Sequence, residues 1–161
     1  MNSVVRLAIA VVVASVAPLL ALTALLVITV PGHLDGLEFI LAVAWLVCLG
    51  HLTVLGVPAF VLLSRRGAIR GRTICLLGFL AGALPLGLIG FPTTSNGYSS
   101  GGTWHGRYVD FYQHGEPTKY AWLSHIESSL LWGAYGVIAA VVLWRVWLAL
   151  GRFAAPRATG A

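Results

Sequence analysis

His51 is the histidine in this sequence whose surroundings best fit a chemical role. It lies at the midpoint of a long apolar run, and it is the only histidine, carboxylate or basic side chain deep inside any such run. Ionisable residues in membrane-type segments often relay protons or contact ligands. No carboxylate or second histidine falls at the same depth. This favours a neutral imidazole that hydrogen-bonds a hydroxyl or carbonyl on a neighbour, with Ser15 or Thr23 as candidates. His51 is therefore a candidate functional residue, with a structural role as the favoured interpretation.

The other four histidines belong to polar segments that also contain carboxylates. Histidine and carboxylate side chains together bind zinc or copper, so the candidates for a metal site are His33, His105, His114 and His125. Their spacing contains no close pair such as H-x-x-x-H, and no cysteine pair fixes the segment between them. We therefore predict solvated polar residues, with no metal site and no other cofactor.

Ser124, His125 and Glu127 have the residue types of a nucleophile, a base and an orienting acid. Neighbours on one helical turn rarely reach the geometry that acyl transfer needs. A Ser-x-x-Glu pattern before an apolar run is instead typical of a helix N-terminus, and Thr118 is an alternative start for the same helix. The sequence predicts a protein that is not an enzyme.

The composition is that of an integral membrane protein. Only 9% of the residues are charged and 58% are apolar, whereas a soluble domain carries roughly 25% charged residues because its surface faces water. The 161 residues contain four apolar runs and little else. The chain therefore predicts a single membrane domain, residues 1–161, in which most of the surface faces lipid.

Each apolar run is long enough for a transmembrane helix, which needs about 20 residues. The sequence predicts an all-α membrane fold with four transmembrane helices, joined on one side by an aromatic-rich loop. The predicted spans are about 7–30, 39–64, 73–91 and 128–150, and the outer loop is 93–123. Pro58 predicts a kink in the second span.

A cluster of arginines between the second and third runs indicates the orientation. Arg65, Arg66, Arg70 and Arg72 are too basic a group to enter lipid. Eight of the ten basic residues flank the runs on this side, and all five acids fall on the other side. Because cytoplasmic loops carry the excess of Lys and Arg, both termini are predicted to be cytoplasmic. The same distribution explains the net charge of +5 without a nucleic-acid partner.

Glycines in the third run predict a close helix contact. Gly78 and Gly82 form a G-x-x-x-G pair, a pattern that lets two helix backbones approach each other in a membrane. The contact could lie within the chain, or it could join the chain to a second copy or to another membrane protein. The partners that the sequence indicates are therefore the lipid bilayer and such a helix.

The outer loop has two parts of different composition. Residues 93–102 are rich in Ser, Thr and Gly, which is typical of a flexible linker. Six aromatic residues follow between Trp104 and Trp122. The alternation from Tyr108 to Gln113, followed by His114-Gly115, predicts a short β-hairpin, while the spacing of the aromatic residues fits a short surface helix nearly as well.

Three short pieces of the chain resemble a type of small four-span inner-membrane protein of proteobacteria. They are Leu55-Gly56-Val57-Pro58 before the arginines, Gly82-Ala83-Leu84-Pro85, and Gly115-Glu116-Pro117-Thr118 with Trp122. The resemblance implies a bacterial inner membrane, and it implies no particular activity and no site residues.

Two families with four spans are excluded. Small multidrug antiporters use a carboxylate within the membrane, and four-helix disulfide oxidoreductases use cysteine pairs outside it, but this chain has neither. The favoured hypothesis is a non-enzymatic accessory or interaction protein. The alternative is a small transporter or channel-like protein that uses an inter-helix cavity around His51.

The predicted orientation can be tested with reporter fusions. A reporter at Ala161 and one inserted within residues 97–102 should lie on opposite sides of the membrane, with the Ala161 reporter in the cytoplasm. A C-terminal reporter active on the outside would contradict the four-span arrangement.

Overall fold

The computed structural model describes residues 2–29, 36–66 and 69–154 of the chain. It is mostly helical, and four of its helical stretches are long and apolar enough to cross a membrane, as the sequence predicts. The helices are α1 (Ser3–Thr29), α2 (Leu37–His51), α3 (Val57–Arg65), α4 (Gly71–Ile89) and α5 (Lys119–Ala154). The loop that contains His33 lies outside the described residues.

The second span is one continuous helical segment, Leu37–Arg65, interrupted by a π-helical turn over Leu52–Gly56. The N–H of Val57 donates to the carbonyl of Leu52, five residues earlier. The next residue, Pro58, has no N–H, and its ring collides with the carbonyl four residues back in a regular α-helix. The wider π-helical turn therefore removes this clash. The irregularity in the helix lies before Pro58 and not at it.

The helices α4 and α5 approach each other at glycines. A Cβ atom added to Gly78 would lie 2.6 Å from the carbonyl oxygen of Gly136, and one added to Gly82 would lie 3.2 Å from the Cα of Gly136. These distances leave no room for a side chain, so the two backbones are in contact. The G-x-x-x-G pair is thus used within the chain, between its third and fourth spans.

The remaining helices pack around this pair. The helix α1 contacts both α2 and α5, and the second span meets α4 mainly through its π-helical turn. Small side chains allow α1 to pack closely against its neighbours. Ala10, Ala14 and Ser15 have no exposed surface. We call the end of the helices that carries Arg6 and the four arginines the basic end, and the opposite end the sheet end.

At the sheet end, the outer segment forms a three-stranded antiparallel sheet. Its strands are β1 (Ser100–Trp104), β2 (Arg107–Gln113) and β3 (Glu116–Pro117), in the order β1-β2-β3. The prediction of a hairpin that turns at His114-Gly115 agrees with the structure, and the surface-helix alternative is wrong. The first three residues of β1, 100–102, belong to the segment that was expected to be a linker. The sheet also means that the fold is not purely helical.

Two His-Gly turns connect the strands. His105 and Gly106 have φ values of 49° and 75°, and His114 and Gly115 have 51° and 89°. Two positive φ values in a two-residue loop define the turn type that suits the right-handed twist of a hairpin. His114 and His105 therefore have local conformational roles, since histidine tolerates this region better than most residues do.

The helix α5 begins directly after the sheet. Its first turn is capped by Thr118, whose Oγ1 accepts a hydrogen bond from the N–H of Tyr120 at 3.2 Å. Ser124 therefore lies inside the helix and does not cap it, so the prediction of a helix start at Ser124 is wrong. The alternative start at Thr118 is the one that the structure has.

The contact between α4 and α5 predicts the effect of adding one methyl group. Gly82→Ala should lower the free energy of unfolding by about 1–3 kcal/mol, because the new Cβ overlaps the backbone of α5. Gly50→Ala is a matched control, since a Cβ there meets no atom within 4 Å. Thermal unfolding in detergent measures both. Equal stability of the two variants would contradict the observed packing.

Candidate functional site

A cavity of about 90 Å³ lies between the second span, α4 and α5. It exists because small residues form part of its wall, among them Ala59, Ala81 and Ala139. Pro18 of α1 reaches it from the fourth side. Apolar cavities of roughly this size or somewhat larger stay dry and accept small apolar groups. The cavity can therefore hold part of an apolar molecule.

Three polar side chains lie in the wall of this cavity: His51, Cys48 one turn earlier on the same helix, and Tyr135 of α5. The hydroxyl of Tyr135 is buried and has no hydrogen-bond partner among the described residues. An apolar pocket with a few polar groups is the usual form of a small-molecule site. This arrangement suits an apolar ligand with one hydrogen-bonding group better than a bare ion.

His51 is the central residue of the second span, as the sequence predicts. Its Nδ1 lies 2.8 Å from the carbonyl oxygen of Val47 in its own helix. Because a carbonyl only accepts, Nδ1 carries the proton in this contact, and Nε2 is the acceptor in the neutral ring. The expected partners of His51, Ser15 and Thr23, were wrong.

Both of those hydroxyls have other partners. The Oγ of Ser15 donates to the carbonyl of Val12 and accepts from the indole N–H of Trp45 at 2.9 Å. The hydroxyl of Thr23 donates to the carbonyl of Leu19 at 2.8 Å. The long indole of Trp45 therefore makes the polar contact between α1 and α2 that was expected of the histidine.

Glu127 attaches the sheet to α5. One of its carboxylate oxygens, Oε2, accepts from the indole N–H of Trp104 at 2.8 Å and lies 3.1 Å from Nε2 of His105. Both His105 and Glu127 are about half exposed or more, so their charge attraction contributes little. The contact acts mainly by positioning, because Glu127 holds the β1–β2 turn against the helix.

The chain before α5 adds a second attachment. The backbone N–H of Thr118 donates to the carbonyl of Phe111 at 2.9 Å, and its hydroxyl donates to the carbonyl of Asp110. Val109, on the inner face of β2, is buried. These contacts together hold the sheet in one position against α5.

The structure does not bring Ser124, His125 and Glu127 together as a catalytic unit. Nε2 of His125 lies 3.2 Å from the carbonyl oxygen of Gly87 on α4, whereas Glu127 contacts the sheet. The hydroxyl-bearing neighbour Ser129 donates to the backbone of His125. His125 therefore bridges α4 and α5 near the sheet end.

The outer histidines that the structure describes occupy different elements. His105 and His114 occupy the two hairpin turns and His125 faces α4, while His33 lies outside the described residues. Over the ranges that the structure describes, no three His, Cys, Asp or Glu side chains form a group able to hold a metal ion.

The basic end carries cations without acidic partners. Arg65, Arg66, Arg70 and Arg72 are exposed, and the only ion pair within the described part of the chain is the one between His105 and Glu127 at the other end. Arg6 is different because it is half buried. Its guanidinium lies 4.0 Å from the ring centre of Trp147 and donates to the backbone carbonyl of that residue at 2.7 Å.

Comparisons of the chain with protein-family models, with curated proteins and with solved structures found no match. The function is therefore inferred from the geometry of this chain.

Sequence reasoning missed the roles of Tyr135, Glu127 and Arg6. Tyr135 is a polar residue in the fourth apolar run, which was the available signal for a cavity-facing group. Glu127 was interpreted as a cap, and Arg6 only as an orientation signal. The partners of Glu127 are 22 and 23 residues away in the chain and the partner of Arg6 is 141 residues away, so no local pattern connects them.

His51 generates a prediction that separates a structural role from a chemical one. His51→Gln can donate the same bond to Val47, so its stability should match that of the original protein, and a structural role predicts full cellular activity. His51→Leu should lose about 1 kcal/mol. Thr53→Val is the matched control, because Thr53 makes the same type of bond to Leu49 outside the cavity. A folded His51→Gln protein without cellular activity would contradict the structural role.

Proposed function

We propose that the protein is a non-enzymatic accessory or interaction protein of a bacterial inner membrane, with both termini in the cytoplasm. The distribution of charge supports this orientation, since the basic end carries the arginines and the sheet end carries Asp110, Glu116 and Glu127. The sheet then lies outside the membrane, and its outer face is the contact surface. The partner is the extracytoplasmic part of another membrane protein.

The fixed, aromatic sheet is the observation that carries this proposal. Tyr108 is 75% exposed and Tyr98 is 54% exposed, although both are large aromatic side chains. The Tyr98 ring also contacts the Tyr112 ring, with 5.7 Å between their centres. Tyrosine is enriched in the energetically important parts of protein interfaces. The surface that these tyrosines form is suited to binding a protein.

The attachment by Glu127 gives this surface a fixed shape. A surface that is ordered before binding loses less conformational entropy when it binds. Because the sheet lies against α5 at the sheet end, a partner must reach the same height above the bilayer. Another integral membrane protein in the same membrane meets that requirement.

Site-specific photo-crosslinking in membranes of the native host tests the proposal. A photoreactive residue at position 108 or 98 should give one discrete adduct with a different membrane protein, identified by mass spectrometry. Leu84 is the control position, since it is 50% exposed on an apolar helix face. Glu127→Ala should weaken the adduct at position 108, while the protein still inserts, because the β1–β2 turn is no longer held against α5.

Two results would overturn the proposal. One is the absence of an adduct at both tyrosines while the protein is present at normal levels. The other is an adduct that contains only a second, differently tagged copy of the chain.

A small transporter or channel-like protein is the second candidate, and the cavity bordered by His51 and the Tyr135 hydroxyl favours it. Its mostly apolar wall suits a weakly polar cargo. Loss of cellular activity in folded His51→Gln would place this function first.

A further inference from the structure

We propose that the groove between the second span and α4 binds one anionic phospholipid, with an acyl chain in the cavity and the phosphate at the arginines of the basic end. The inference is independent of the sheet as a protein contact surface. It requires only that the four helices cross a bilayer.

The first observation is the length of the groove, which is the cavity together with its opening between the second span and α4. The cavity wall includes Val47 at one end and Leu63 at the other, both on the second span. Sixteen residues separate them, or about 24 Å at the rise of an α-helix. One leaflet contributes about half of a hydrocarbon core of roughly 30 Å. The groove is therefore long enough for the acyl chain of a lipid in one leaflet.

The second observation is that the groove is apolar and incompletely closed. The second span and α4 meet mainly at the π-helical turn, so the cavity is partly open between them. An acyl chain can therefore enter from the side, fill the cavity with a few of its carbons and lie along the opening with the rest.

The third observation is the position of the arginines. Leu63 and Ile74 line the cavity, and they lie two residues before Arg65 and two residues after Arg72. Ile69 packs against the core, which places its part of the arginine segment against the helix ends. Basic groups beside a groove between transmembrane helices are suited to lipid phosphates.

Arg6 gives independent support for an anionic ligand at this end. Its Nε is buried and has no hydrogen-bond partner among the described residues. Trp147, over which Arg6 lies, also makes an edge contact with Phe60, and Phe60 lines the groove. A half-buried guanidinium without a carboxylate is costly unless another anion compensates its charge. A lipid phosphate at the basic end is one such anion.

Native mass spectrometry of the purified full chain in mild detergent tests the proposal. Phosphatidylglycerol and phosphatidylcholine with the same acyl chains are added separately. We expect one phosphatidylglycerol to remain bound, with a parallel rise in thermal stability, and phosphatidylcholine to bind more weakly. The double variant Arg70→Gln/Arg72→Gln should lose affinity for phosphatidylglycerol by roughly 10-fold or more. Arg107→Gln/Lys119→Gln is the matched control, because it removes two positive charges at the sheet end.

A second pair of variants tests the acyl chain. Ala59→Phe fills the cavity and should prevent retention of the lipid, whereas Ala42→Phe adds the same bulk at an exposed position outside it. The arginine variants leave the core unchanged, so they keep the proposal testable even if Ala59→Phe does not fold.

Four results would overturn the proposal. These are equal retention of phosphatidylcholine, stabilisation by inorganic phosphate alone to the same extent, retention of phosphatidylglycerol by both the arginine and the cavity variants, and a lipid-free dimer as the stable species. The second result indicates a phosphate site without a lipid, and the last indicates that a second copy covers the groove.

Discussion

The backbones of α4 and α5 touch at Gly78, Gly82 and Gly136, and the rest of the structure depends on that contact. In a bilayer, an apolar side chain gains little by contacting another helix instead of lipid, because both are apolar. Helices therefore associate through close packing and hydrogen bonds. Glycine allows the closest packing of all. The contact fixes α5, and α5 in turn contacts α1 and carries the sheet.

Two features that matter for function follow from this arrangement. Because α4 is held against α5, it meets the second span mainly at the π-helical turn, and the groove remains beside that contact. Because α5 begins at Lys119 and extends beyond the apolar core predicted from the sequence, its first turns form the support for the sheet. One helix pair thus positions both the cavity and the outer surface.

The four helical stretches that are long and apolar enough to cross a membrane were predictable because the signal is local. A long apolar run must form its backbone hydrogen bonds within itself when it is in lipid, so hydropathy alone locates the helices. The G-x-x-x-G pair was likewise visible as a candidate contact, but its partner Gly136 was not. Which helix a glycine pair faces depends on the arrangement of all the spans, and no single run contains that information.

The sheet shows where local reasoning fails. The strand β1 contains Gly101 and Gly102, which favour a linker by composition. A Cβ at Gly101 would lie 2.6 Å from the hydroxyl oxygen of Tyr108, and one at Gly102 would lie 3.3 Å from Phe111. Aromatic rings of the neighbouring strand therefore cover these glycines and supply the packing that their own side chains lack. The role of Glu127 was hidden for the same reason, since its partners belong to β1 and the turn after it.

Nuclear magnetic resonance of the glycine-labelled protein in lipid nanodiscs tests the central contact most directly. The amide nitrogen of Gly82 would lie 3.1 Å from a Cβ placed on Gly136, so the amide proton of Gly82 and the α-protons of Gly136 are close in space. The account predicts a strong cross-peak between them in the monomeric protein. Assigned signals for both glycines, with sequential cross-peaks within each helix and none between α4 and α5, would contradict it.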